Sequence, residues 1–415
     1  MTTESSHVAA AARPGRSYLG PLIALTSLFF MWGLITSLND ILVPHLKNAF
    51  TLTYVQATLI QFAFFGAYFV MTLPSGWLVE KLGYKPGIIV GLAIAGVGCL
   101  LFYPAAAAAA YPLFLGALFV LASGITLLQV AANPYVTILG PPRTASSRLT
   151  LTQAFNSLGT TIGPRLGSTL ILGSAAGGTA AAEAALVQKP YLALAAVLFA
   201  IAVAFVVLRL PSVGGAGGPK SAEPRASLWS HRHLVLGVVA IFVYVGGEVA
   251  IGSLLVNFMA DPSIAGLPEQ VAGSYVSYYW GAAMVGRFVG AAVMWFVRPG
   301  RVLAFNAVAA VALLAAAMLT AGETAMWCVL AVGFFNSIMF PTIFALALEG
   351  LGKHTGEGSG VLCMAIVGGA IVPVVQGFFA DHVGLLPSFV VPLVCYLYIF
   401  YYGLRGHRPR VAAAV

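Results

Sequence analysis

Asp40 and Glu248 are almost the only acids inside the long apolar segments that fill this chain from Leu19 to Leu404. A carboxyl group embedded among helices loses hydration, so it can exchange a proton near neutral pH, and ionisable groups at such depth usually serve transport. Both are candidate ion-coupling residues. Glu248, within Gly246-Gly247-Glu248, could also bind a ligand or pair statically with a cation such as Arg287.

Amide side chains donate and accept hydrogen bonds at once, which suits them to read a neutral ligand rich in hydroxyls. Gln129 and Asn133 are four residues apart, and Gln153 and Asn156 three, so each pair shares one helical face. Asn39, Gln61, Asn257, Asn336 and Gln376 are further candidates, although any of these amides could equally be polar glue between helices. The apolar C–H faces of such a ligand stack on aromatic rings. Trp32, Tyr68, Tyr275, Tyr279, Trp280 and Phe340 are candidates for that contact, in a chain whose 26 Phe and 16 Tyr mostly supply lipid-facing bulk and interface anchors.

The elements that must position these groups are membrane helices. Hydrophobic residues make up 60% of the chain and charged residues 8%, with a mean hydropathy of +0.95, a composition that no water-soluble surface of this size could use. A helix needs about 20 apolar residues to cross the hydrocarbon, and open strands cannot leave backbone unpaired in lipid. Breaks at Gly, Pro and charge clusters predict twelve helices, near 19–43, 54–79, 86–103, 112–134, 149–172, 190–209, 234–260, 271–297, 302–320, 325–348, 358–380 and 387–404. The Ala105–Ala110 run and the Ala/Gly-rich stretch from Gly173 to Ala185 read as connectors.

Short loops rich in Lys and Arg stay in the cytoplasm. With both termini inside, nearly all the basic residues fall in cytoplasmic loops and tails, and only Lys47 and Lys189 lie in outer loops. The net charge of +8 is then a topology signal, and nucleic-acid binding is a poor reading of it. Residues 1–17 lack the pattern of a cleaved secretory signal, so the first helix is expected to act as its own insertion signal. Cys99, Cys328, Cys363 and Cys395 stand singly without metal-ligand spacing, and His45, His354 and His382 fall at helix ends or in a loop. No phosphate loop or nucleophile constellation is present, so enzyme chemistry, cofactors and metals are not expected.

The most polar stretch, Pro211 to His233, divides the chain into a cytoplasmic tail at 1–17, a six-helix bundle at 18–210, a cytoplasmic linker at 211–233, a second bundle at 234–404 and a tail at 405–415. Pro134 and Pro341 are 207 residues apart, Pro164 and Pro373 209, and Pro86 and Pro299 213, as expected for a parallel duplication. Two such repeats around a central site are the major facilitator architecture.

The loop Gly76-Trp-Leu-Val-Glu80-Lys81-Leu-Gly83-Tyr-Lys85 resembles the signature loop of the major facilitator superfamily. Its Gly residues permit close helix packing and its charges can hold a gate, so Gly76, Glu80, Lys81 and Lys85, with Arg148 and Arg287, are candidate gating residues. Three further stretches resemble the fucose–proton symporter family. They are Ser37-Leu-Asn39-Asp40, Leu128-Gln129-Val-Ala-Ala-Asn133-Pro134 through Gly140, and Arg148-Leu-Thr-Leu-Thr-Gln153-Ala-Phe-Asn156 through Thr161. Glu349 through His354 and Val367 through Pro373 are similar to its bacterial glucose/galactose branch, and the resemblance covers nearly the whole chain.

The resemblance implies inward sugar movement driven by an ion gradient, with the first-helix acid, here Asp40, carrying the proton. Fucose carriers bear a second acid where this chain has Gln129, which argues against fucose and against a two-carboxylate relay. The expected function is proton symport of a neutral hexose of glucose or galactose type across a bacterial inner membrane, by a monomer. Sodium in place of the proton, with Asp40 and Asn39 as oxygen ligands, and drug or sugar efflux are the alternatives. Arg165, directly after Pro164, departs from the family's apolar residue there and is expected to snorkel or to pair with an acid.

Overall fold

The computed structural model describes residues 19–49, 54–170, 187–208, 210 and 228–409. The side chains of 38–49, 54–62, 65, 164–170, 269, 270 and 353 lie outside that description, and so do the termini, 171–186 and most of the linker.

Among the described residues, nine helices are long and apolar enough to cross a membrane. They are α1, which enters from Leu19, α3 (Tyr84–Ala107), α4 (Tyr111–Ile138), α6 (Gln188–Val207), α7 (Arg232–Ala260), α9 (Pro299–Leu319), α10 (Gly322–Leu348), α11 (Thr355–Val383) and α12 (Pro387–Gly406). Three further long helices, α2 (Tyr54–Leu82), α5 (Ala145–Leu170) and α8 (Glu269–Phe296), carry more hydroxyl, glycine and charged residues. These account for all twelve expected segments, and α1 runs on to Ala49. An all-α membrane fold follows from the composition, because only helices satisfy every backbone group within one apolar segment.

Two connections are tighter than the sequence predicts. The helices α2 and α3 are separated by Gly83 alone, whose φ of 91° lies in the left-handed region that suits glycine, and its N–H donates to Val79 O at 2.8 Å. Half of the alanine run is helix, not loop. α3 continues through Ala107, in keeping with alanine's helix propensity, and only Ala108–Ala110 turns, with Ala109 at φ 45°.

The described residues form two compact units. Among the described residues, the first holds those within 19–142, 155–210 and 353–363, and the second those within 143–154, 228–352 and 364–409. The divisions therefore fall inside α5 and α11.

In the first unit, small residues bring helices to backbone contact. A Cβ on Gly124 would collide with Ala95 N, and one on Gly98 with Leu121 N, which locks α3 onto α4. Phe102 stacks on Tyr191 at 4.0 Å between centroids, joining α3 to α6. In the second unit Gly286 faces Phe334 O and Gly333 faces Tyr279 O, seating α8 against α10, while Gly368 of α11 meets Phe242 O of α7.

Candidate functional site

The first unit's polar residues gather around Pro134, inside the continuous helix α4. Proline has no N–H, so the carbonyl four residues earlier, Val130 O, loses its helical donor. Ser359 of α11 supplies one, its hydroxyl donating to Val130 O at 2.9 Å. Gln129 and Asn133 flank that carbonyl on one buried face of α4. Asn156 also joins two helices. Its Nδ2 donates to Phe29 O at 3.0 Å and ties α5 to α1, where Gly33 packs against Asn156 O. Trp32 is buried beside Phe29, with ring centroids 5.4 Å apart, and Tyr68 beside Phe64 at the same spacing.

Asp40, Asn39, Gln61 and Arg165 lie on α1, α2 and α5, but their side chains fall outside the described residues.

The signature loop acts as a cap and a packing surface. Gly76 lies 3.3 Å, measured from an ideal Cβ, from Gly356 O and 3.6 Å from Gly360 Cα, so α2 meets the start of α11 along glycines. Lys81 Nζ sits 3.8 Å above the Trp77 ring. Lys85 Nζ donates to Val206 O at 3.1 Å and Leu208 O at 2.9 Å, satisfying carbonyls that the end of α6 leaves open. Glu80 is half-buried at the same end of α2.

The second unit has a true break, just before Pro341 in α10, and surrounds it with donors. α10 is helical over Gly322–Asn336 and Met339–Leu348, and Pro341 strips Ser337 O of its partner. Three consecutive carbonyls at the break are each held from a different helix. Asn306 Nδ2 of α9 donates to Phe335 O, the Tyr244 hydroxyl of α7 to Asn336 O and Arg287 Nε of α8 to Ser337 O, each at 3.1 Å. Such side-chain donors let a broken helix survive in lipid.

Two of those donors also serve Glu248. Tyr244, one helical turn away on α7, donates to Glu248 Oε1 at 2.7 Å, and the charge of Arg287 bears on the carboxylate. The Asn336 side chain donates through Nδ2 to the Tyr279 hydroxyl at 2.7 Å, and the Tyr396 ring of α12 lies within electrostatic reach of Glu248. The Tyr396 hydroxyl also lies within hydrogen-bonding influence of the buried Asn336 side chain, so Tyr279 and Tyr396 approach the same amide from α8 and α12.

The other candidates are spread through the second unit. Gln376 is buried and reaches Ser388 Oγ at 3.4 Å, joining α11 to the first turn of α12. Tyr279 is buried inside the cluster, whereas Trp280 is 44% exposed on another side of α8. Tyr275 packs with Tyr278 and Trp327, an exposed aromatic group of the kind that anchors a membrane interface. Asn257 is exposed, and Phe340 stacks on Phe344. Gln153 is buried in α5, and Arg148 donates to Thr144 Oγ1 while its neighbour Ser147 donates to Ala291 O at 2.5 Å.

Reasoning from sequence missed Tyr244, Asn306, Ser359 and Tyr396. Tyr244 could have been found from its four-residue spacing to Glu248; the others approach from distant helices and leave no local signal.

A set of long apolar helices with two internal prolines, the carbonyl freed by each capped by a side chain, and a buried polar cluster is the build of a membrane carrier. The chain belongs to the major facilitator superfamily, whose profile matches residues 23–372. It is 58% identical over 393 residues to the glucose/galactose transporter of Brucella abortus, spanning 95% of each chain. It is 49% identical over 396 residues to a putative glucose/galactose transporter of Helicobacter pylori, covering 93% of this chain and 96% of that one. A crystal structure of the Escherichia coli fucose:proton symporter FucP superposes with a TM-score of 0.85 at 34% identity, over 94% of this chain and 98% of that one. These relatives are transporters, not enzymes.

Proposed function

We propose that this protein is a sugar carrier that imports a neutral hexose, of glucose or galactose type, together with a proton. The 58% identity across 95% of both chains to a glucose/galactose transporter carries this reading. The identity to a structurally characterised fucose:proton symporter supports the proton as the coupling ion.

In this mechanism the two repeats alternate access to a central site in a bacterial inner membrane, with both termini in the cytoplasm. Asp40 carries the transported proton. Protonation of Asp40 and binding of sugar favour the same conformation, each by about 1–3 kcal/mol, and that shared preference is the coupling. Gln129 and Asn133, adjacent on one buried face of α4, and Gln153 of α5 supply the amides that read hydroxyls, and Trp32 supplies an apolar ring face. Asn156, bound to Phe29 O, sets the position of α1.

Labelled D-glucose uptake into proteoliposomes under separate inward proton and sodium gradients tests this reading. Proton-driven accumulation is the expected result. Accumulation driven by sodium alone would recast Asp40 as an ion ligand, and no movement under either gradient would overturn the hexose assignment.

A further inference from the structure

The phenol of Tyr244 has one hydrogen and faces two acceptors, Glu248 Oε1 at 2.7 Å and Asn336 O at 3.1 Å. It cannot serve both fully. Asn336 O belongs to the break in α10, where the helix ladder is interrupted.

We propose that Tyr244 is a positioning residue that relays the protonation state of Glu248 to the break in α10. The relay deepens the transport reading, on which its part in ion coupling rests. When Glu248 is ionised it can only accept, and the closer, charged oxygen takes the larger share of the phenolic hydrogen. When a proton from water binds Glu248, the new O–H donates to Tyr244 Oη. The phenolic hydrogen then passes wholly to Asn336 O, and no other bond is made or broken. Protonation of a carboxyl on α7 therefore tightens α10.

The groups around Glu248 fit that role. Arg287 and Tyr279 come from α8 and Tyr396 from α12, while α10 contributes the amide of Asn336 and the carbonyl of Ser337. Arg287 donates Nε to Ser337 O while its charge bears on Glu248, so neutralising Glu248 removes a competing attraction on the guanidinium that forms the second cap of the same break. Both changes act in one direction.

Backbone hydrogen exchange of residues 338–342 in the purified full-length protein tests the relay. Glu248→Gln, whose amide N–H can donate to the phenol as the protonated acid would, is expected to slow exchange about threefold, and Tyr244→Phe to speed it about tenfold. In a Tyr244→Phe background Glu248→Gln is expected to change it less than about twofold, the signature of coupling through that hydroxyl. Equal slowing in both backgrounds overturns the relay.

If Tyr244→Phe does not fold, Glu248→Gln is compared with Glu248→Leu, which cannot donate. Slower exchange with Gln than with Leu supports the relay, and equal exchange overturns it. None of these readouts needs sugar, so a failure of hexose transport would sink the functional reading while leaving the relay to stand or fall by itself.

Discussion

Ser359 donates its hydroxyl to Val130 O, the acceptor in α4 that Pro134 leaves without a helical partner, at 2.9 Å. The two residues are 229 positions apart, and Ser359 is fully buried. Ser359→Ala leaves that carbonyl buried and unsatisfied, at a cost of about 1–3 kcal/mol. Thermal unfolding in detergent is expected to fall by several degrees. A midpoint equal to that of the wild type would mean that another donor takes over the carbonyl.

Asp40→Asn separates sugar movement from proton movement. Asn keeps the shape and can still hydrogen-bond, but it cannot gain or lose a proton. Exchange of labelled sugar across a membrane with equal sugar on both sides is expected to persist, while accumulation under an inward proton gradient falls to the level seen without one. A variant that still responds fully to the gradient would remove Asp40 from the coupling mechanism.

Gln129→Ala tests the amide pair on α4. Gln129 is 5% exposed and lies beside the carbonyl that Ser359 caps. A ligand that binds only the folded state raises stability by mass action, by about 2.7 kcal/mol at a hundredfold excess over its dissociation constant. Glucose is expected to raise the melting temperature of the wild type and to lose most of that effect in Gln129→Ala. If the glucose-induced shift is the same in both, Gln129 does not read the sugar.

The fold was legible because lipid imposes it. Runs of about 20 apolar residues must be helices there, so composition and breaks predict the segments to within a few residues. The internal prolines were equally plain, since Pro134 and Pro341 are visible as letters. What caps the carbonyls they free was not. A helix that is apolar on nearly every side carries no hydrophobic face to say which neighbour it meets. Arg287 reaches Ser337 O across 50 residues and Ser359 reaches Val130 O across 229, and nothing local in sequence marks either contact. Asn156 shows the same limit from the other side. Its spacing to Gln153 is visible in sequence, but the bond from its Nδ2 to Phe29 O is not, because that bond depends on Gly33 letting α5 come close enough to α1 for a side chain to reach backbone.

Gly83→Ala tests the single-residue turn between α2 and α3. At φ 91° a Cβ crowds the backbone, which costs about 1–2 kcal/mol, and the Gly83 N–H to Val79 O bond that closes α2 depends on the same dihedral. The strain has a direct route to the ends of both helices, because Lys85 one residue past the start of α3 holds the carbonyls of Val206 and Leu208. Gly83→Ala is expected to lower the unfolding midpoint and to speed hydrogen exchange at the end of α6. Gly350→Ala, at φ 75° with open space around it, serves as the comparison, since it carries similar backbone strain without the Lys85 cap. Equal loss of stability in the two variants, with α6 undisturbed in both, would confine the role of Gly83 to the turn itself.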